Sequence, residues 1–147
     1  MASSSSKGNA SLTINLVTPK GPIAQEKSDA VMAPGRLGQF EILEGHVPFL
    51  SELHAGVVVM GEAMEKKYFA VGPGFLEVEP NGEVQILCEQ AAATSDIDLE
   101  AAREELTETE GKVSTWKGTL DAEYRTLKAR QDWAQAQVDT MKLSGNA

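Results

Sequence analysis

The apolar residues of this 147-residue chain change their spacing once, near residue 90, and that switch constrains what the chain can fold into more than any other feature. From Leu12 to about Gln90 they recur at every second position or in short runs bounded by Gly, Pro and Asn, as in half-buried and buried strands. After "AAATSD" they step by three and four, the spacing of one helix face. A chain of this length can bury one ordinary core, or one small core with an appendage. The two periods therefore imply a β unit carrying a helical attachment.

Within the first half, Leu12, Ile14 and Leu16 share a face with Thr13 and Asn15 between them, until "TPKGP" breaks the strand. "DAVMAPG", "VVVM" at Val57–Met60 and "KKYFAVG" at Lys66–Gly72 follow as further strands. "FLEVEPNGEVQILCE" sets Leu76 and Val78 against Val84, Ile86 and Cys88 across Asn81-Gly82. That dipeptide tolerates positive φ at both central positions of a hairpin turn. Glu77, Glu79 and Gln85 then fall on the solvated face. Strands this short with turns this frequent predict a compact sandwich or flattened barrel.

In the second half, Leu99, Ala102, Leu106, Thr109, Val113 and Trp116 form one stripe, and Leu120, Tyr124, Leu127, Gln131, Ala134, Val138 and Met141 form another. Ser95 or Asp96 is suited to cap the first helix, with Asp98, Glu100, Glu104 and Glu105 near its positive end. Gly111 costs about 1 kcal/mol against Ala within a helix and is a place for it to fray or end. Lys117-Gly118-Thr119 supplies a stop and a second cap, so the helices fold back as an antiparallel hairpin with Trp116 and Trp133 in the seam. A seam holding Thr109, Gln131 and several alanines buries little apolar area, so the hairpin depends on what it docks against and is the part most able to move.

Charge narrows the range of partners. With 22 acidic against 13 basic residues, the surface repels phosphate backbones and anionic lipid, which disfavours nucleic-acid binding. Cys88 is the single cysteine, so it has no internal disulfide partner and reads as a small buried hydrophobe. The opening "MASSSSKGNAS" has neither the pattern of a secretory signal nor that of a transit peptide, and its serine run predicts a disordered tail over residues 1–10. No run of 18 apolar residues is present, so no direct membrane insertion is expected.

There is no Gly-rich phosphate loop, no Cys pair, no HExxH and no serine set in a nucleophile elbow. Chemistry would fall to carboxylates and to His46 and His54, which lie in "QFEILEGHVPFLSELHAG" at a spacing that does not itself aim two imidazoles at one ion. A turn at Gly45-His46 and a strand end at His54 account for them, with a metal or acid/base role as the alternative; neither metal nor cofactor is expected. In "APGRLGQFEIL" the glycines suit an ordinary hairpin turn or an exposed binding loop. The tip Arg36-Leu37-Gly38-Gln39 pairs a cation with an exposed leucine and fits a protein contact better than a small substrate. Arg125, Lys128 and Arg130 read either as a solvated helix face near Asp121 and Glu123 or as an electrostatic docking site for an acidic partner.

Taken together, "VMAPGRLGQFEILEGHVPFLSELHAGVV" followed by "YFAVGPGFLEVEPNGEVQIL" resembles the epsilon subunit of the F-type ATP synthase, called delta in mitochondria. The likeness spans about Leu12 to Asp98 and continues more loosely beyond. The family pattern PG-x-x-G-x-(F/L)-x-I-L-x-GH-x-P-(F/L)-L, then L-x-x-G, then a G-G-F-L-E-V-like strand appear in order. Gly72-Pro73-Gly74 stands where the family often has Ser-Gly-Gly, and Glu41 where it often has Gly.

The resemblance implies a flattened β-sandwich of about ten short strands over residues 11–94, then an antiparallel two-helix hairpin over 95–147. It implies a non-catalytic subunit of the central stalk, part of the rotor, peripheral on the cytoplasmic face of a bacterial plasma membrane. By position, Arg36, Leu37, Gly38 and Gln39 match the loop facing the c-ring, and His46 lies near the side facing the gamma subunit. The hairpin of bacterial members can extend and lodge against the alpha and beta subunits of the catalytic head, suppressing ATP hydrolysis; Arg125, Lys128 and Arg130 suit that docking. Members that bind ATP here carry I/L-D-x-x-R-A at the first helix. In this chain Ile97, Asp98 and Ala102 match, but Ala101 replaces the Arg, and Arg103 comes two residues late, about 200° round the helix. Weak or absent ATP binding is expected. From the residues without the family, a free-standing adaptor with a mobile helical arm is the alternative, and a histidine-carboxylate metal enzyme a more distant one.

Overall fold

The structure, a computed structural model, describes residues 12–63 and 65–147. The tail expected over residues 1–10 lies outside them. Ten strands come first: β1 (Leu12–Thr18), β2 (Gly21–Ser28), β3 (Ala30–Gly35), β4 (Gly38–Leu43), β5 (Phe49–Leu53), β6 (Gly56–Met60), β7 (Lys67–Val71), β8 (Gly74–Val78), β9 (Glu83–Cys88) and β10 (Ala91–Ala93). A short 3₁₀ turn at Thr94–Asp96 leads to helices α1 (Leu99–Ser114) and α2 (Ala122–Leu143). The strands pair in the order β10-β7-β6-β3-β5-β8-β9-β1-β2, with β4 added to β3. Among the described residues only the β1–β9 ladder is parallel. The sheet curls until β10 lies beside β1 and β2, giving the expected flattened sandwich.

Alternation explains how this sheet closes on one core. Leu12, Ile14, Leu16, Val31, Ile42, Leu53, Met60, Val71, Leu76, Val78, Val84 and Ile86 all point inward and are almost wholly buried. Val57–Met60 does not alternate; every residue in it is buried, because its second face lies under α2. β2 carries no such signal: half of its residues are exposed and only Ser28 is buried, and Pro22, Glu26 and Lys27 mark it as an edge strand. Its Glu26 is bonded across to Lys67 of β7 at 2.8 Å, which helps bring the two ends of the sheet together.

The hairpin between β8 and β9 forms as expected, but by a different turn. The N–H of Gly82 donates to Glu79 O at 2.9 Å, so Pro80 and Asn81 occupy the centre and Gly82 follows with φ +89°. Proline at the first central position favours this geometry, and only glycine needs positive φ. Asn81 contributes differently: its Oδ1 accepts from Glu83 N at 2.9 Å.

Both helix starts depart from the expected caps. Ser95 and Asp96 lie in the 3₁₀ turn, and Asp98 caps α1 by accepting from Ala101 N at 3.1 Å. Asp121 rather than Thr119 caps α2, accepting from Glu123 N at 3.1 Å and Tyr124 N at 3.3 Å. Carboxylates hold these positions well because they also meet the positive helix end. Gly111 is exposed and does not end α1, which runs on to Ser114. Trp116 and Leu120 fall in the connection rather than the seam; the Trp116 ring meets Tyr124 edge-on and its Nε1–H donates to Thr119 O at 3.1 Å.

α2 is covered on two opposite sides. Leu127, Ala134 and Val138 follow the expected stripe, while Ala136 and Thr140 are buried on the other side of the helix, where α2 lies on β6 and β7. There Ala136 joins Ala70 and Ile97 in a second small core, with Ala92, Trp133 and Met141 packed around it. Trp133 therefore packs against the sandwich.

Candidate functional site

Three exposed regions hold the residues singled out from sequence, and they adjoin through Glu52 and Pro73. The first is the β3–β4 tip. Gly35 pairs with Gly38, leaving Arg36 and Leu37 as the bend. Gly35 has no room for a side chain, since a Cβ would lie 2.7 Å from the Phe40 ring. Gly38 takes φ +131°, open to glycine at little cost. β5 braces the bend from behind: Arg36 N donates to Glu52 O at 3.1 Å, and its guanidinium meets Glu52 Oε1 at 3.2 Å. Gln39 is exposed, and Leu37 projects fully into solvent with 101% relative exposure.

The second region begins at the other end of β4. His46 N donates to Leu43 O at 3.2 Å, and Gly45 takes φ +82°, as a type II turn requires of its third residue. The imidazole is held on two sides, its Nδ1–H donating to Val47 O at 2.8 Å and its ring meeting Phe49 edge-on at 5.4 Å. Leu43, Val47 and Leu50, all within four positions of it in the chain, are exposed. On the outward face of the sheet, Leu50 of β5 is followed by Phe75 of β8 and its neighbour Leu87 of β9, both about half exposed. Phe75 and Leu87 line an open groove of about 520 Å³ with Val17, Pro19 and Pro73, rimmed by Glu52 and Glu89.

Phe75 and Leu87 were not among the residues singled out from sequence. A signal for them exists: each is apolar where the alternation of its strand demands polar, and the hairpin register sets them side by side.

His54 ends β5 as expected, its N–H donating to Pro34 O at 2.9 Å. Among the described residues no group of three or more His, Cys, Asp or Glu is placed to hold a metal ion. Cys88 faces the core, and burial, helped by Glu89, pushes its thiol up to about 12, so it has little thiolate character.

The third region is the helical hairpin. Arg125 and Lys128 line a crevice of about 200 Å³ between α2 and the sandwich, together with Ala55, Pro73, Gln90 and Trp133. Lys128 reaches Gln131 and Asp132 at 3.0 and 3.2 Å. Arg130, two positions on and about 200° further round, points instead at α1. Its guanidinium forks onto Glu105 at 2.7 and 3.0 Å and approaches Glu108 at 3.7 Å. The hydrogen bond from Arg130 holds the Glu105 carboxyl below its ordinary range, and Lys112 does the same for Glu108. The three cations are thus not one patch in the folded hairpin.

At the start of α1, the Asp98 carboxylate is occupied as a cap and Ala102 is buried. Arg103 shares its groove with Glu100, Glu104 and Glu108, surroundings that repel an anion.

Comparison with known proteins finds that the profile described as "ATP synthase, Delta/Epsilon chain, beta-sandwich domain" matches residues 11–94. The ATP synthase epsilon chain of Magnetococcus marinus is 35% identical over 88% of this chain and 93% of that protein. That of Geobacter sulfurreducens is 33% identical over 92% and 95%. Among solved structures, a chain of the Euglena gracilis mitochondrial ATP synthase superposes with a TM-score of 0.65 at 20% identity, covering 94% of this chain and 82% of that one. A chain of the Tetrahymena thermophila central stalk and c-ring gives 0.60 at 16% identity over 95% and 99%. At these identities the structural likeness is one of fold.

Proposed function

The chain belongs to the delta/epsilon family of ATP synthase subunits, and from that premise we propose that it is a non-catalytic rotor subunit joining gamma to the c-ring. The observation that carries this reading is the outward apolar face of β5, β8 and β9. Leu50 lies there toward the His46 turn, while Phe75 faces Glu52 across the ladder and Leu87 lies beside Phe75, with carboxylates at the rim. An exposed apolar patch with a polar rim is the form of a protein interface. We assign this face, with His46 at its border, to gamma. The Arg36–Gln39 tip, assigned to the polar loops of the c-ring, lies at the opposite end of β4 from His46, about 20 Å along the strand at the usual rise, and borders the groove through the Arg36–Glu52 ion pair. A rigid sandwich with adjoining contact surfaces suits a part that passes torque rather than one that transforms a substrate.

Among the described residues no helix is long and apolar enough to cross a membrane. We place the protein at the cytoplasmic face of a bacterial membrane, held there by its partners, because the relatives it matches are bacterial. The test is co-purification with gamma. Phe75→Glu and Leu87→Glu, which change exposed side chains and leave the core intact, are expected to abolish retention, whereas Glu77→Gln on the same face leaves it. Retention of both apolar-to-Glu variants at the wild-type level would refute the assignment.

We further propose that the hairpin restrains ATP hydrolysis by engaging the alpha and beta subunits. Its sparse apolar packing and the exposed Arg125 and Lys128 support this. Removing the residues after Asp96 is expected to raise the ATPase rate of the assembled complex; equal rates would remove the idea. ATP binding by the isolated subunit is expected to be weak or absent, and micromolar affinity by calorimetry would overturn that.

A further inference from the structure

The two helices of the hairpin are held unequally. α2 is buried on opposite sides, by α1 and by the sandwich, and through Ala136 it joins a core shared with Ala70 and Ile97. α1 has α2 as its principal neighbour and fully buries only Ala102 and Thr109. The Thr109 hydroxyl is bonded to carbonyls of its own helix, Glu105 O at 2.7 Å and Leu106 O at 3.2 Å, and adds nothing across the interface. Leu99, Leu106 and Val113 are only partly buried, and Gly111 weakens the far end of the helix. Arg130 alone provides side-chain hydrogen bonds from α2 to α1, as a fork on Glu105 extended to Glu108. Lys112 steadies Glu108 from the same side at 2.8 Å. The N-terminal end of α1 is pinned, because Ile97 is buried in the sheet-side core.

We infer that the Arg130–Glu105–Glu108 triad is a latch, and that the hairpin opens by α1 swinging off α2 about Ile97–Asp98 while α2 stays on the sandwich. The inference builds on the reading of the hairpin as the moving part but needs no partner. It has two consequences. Opening exposes the Leu127–Ala134–Val138 face of α2 and frees Arg130 in the same step, so a cation silent in the closed form becomes available only in the open one. Opening is also easier at high ionic strength, since exposed ion pairs are screened while apolar packing is not.

Amide hydrogen exchange on the full chain tests this. Residues 99–114 are expected to exchange faster than residues 133–141 in the unmodified protein. Arg130→Gln and Glu105→Gln should each raise exchange across 99–114 by about two- to fivefold, in line with exposed ion pairs, leaving 133–141 and the core strands unchanged. Raising the salt should shrink that difference. The exchanged pair Glu105→Arg with Arg130→Glu should recover protection, which a merely packed Arg130 would not allow. Equal exchange in both helices, rising together in the variants, would show that the hairpin leaves as a unit and overturn the inference. So would variants indistinguishable from wild type at low salt. Neither result bears on the ATPase comparison above, so the latch and the inhibitory role fail separately.

Discussion

The sandwich and the hairpin bury different kinds of residue. The sandwich closes on Ile14, Leu16, Ile42, Leu53, Met60, Leu76 and Ile86, each at 1% exposure or less. The buried positions of the two helices are Ala102, Thr109, Leu127, Ala134, Ala136, Val138 and Thr140. A buried Leu or Ile contributes roughly 1.5–3 kcal/mol and an alanine methyl only about 0.8. The two parts therefore differ in how firmly they are held, although both are well-formed secondary structure. An element with this division can transmit force through one part and change shape with the other.

The largest expected effect that probes this difference lies in the sandwich. Leu76→Ala should cost about 2–5 kcal/mol and lower the denaturant midpoint of the whole chain, helices included, because α2 needs β6 and β7 beneath it. Helices that outlast the sheet in that variant would contradict the dependence. The reverse experiment is Ala136→Leu, which overfills the small core with Ala70 and Ile97 at a cost of about 1–3 kcal/mol. Exchange should rise across α2 and α1 while the inner strands keep their protection. Smaller again is Asp121→Ala, which removes the cap of α2 for about 1 kcal/mol and should reduce helical circular dichroism with an unchanged strand signal.

The smallest effects are in pH, and they differ between the two parts. Glu105 and Glu108 titrate below their ordinary value of 4.5 because of Arg130 and Lys112, so their contribution is present above that value and is lost as pH falls through the lowered ones. The hairpin should thus loosen in acid below about pH 4.5, seen as faster exchange in 99–114, and Arg130→Gln should blunt the response. Cys88 is shifted the other way. Its contribution is full below 9.0 and is lost as pH rises toward about 12, so the sandwich weakens in alkali, a loss that Cys88→Ala should reduce. Both helices and sheet responding at one end of the scale would remove this distinction.

The strands that could be read in advance are those with one face in the core: β1, β8 and β9 alternate visibly. β2 and β10 could not be read in this way, one being an exposed edge and the other three alanines. The Arg36 bend and the Gly45-His46 turn were legible because glycine is required where the backbone takes positive φ. Phe75 and Leu87 were visible only as departures from alternation, which acquire meaning once the register sets them together.

What the sequence by itself determined was local: the two periods, the bends and the acidic residues available as helix caps, all of which depend on neighbours a few positions away. The tertiary structure decided which caps are used, that Val57–Met60 and Ala136 are covered on a second face, and that Arg130 leaves Arg125 and Lys128 to hold α1. The physical reason is distance along the chain. Arg130 meets Glu105 across 25 positions, and Ala136 meets Ala70 across still more, so neither partner leaves a trace in the periodicity around it. Period identifies the face a segment can bury; only the folded chain shows what comes to cover it.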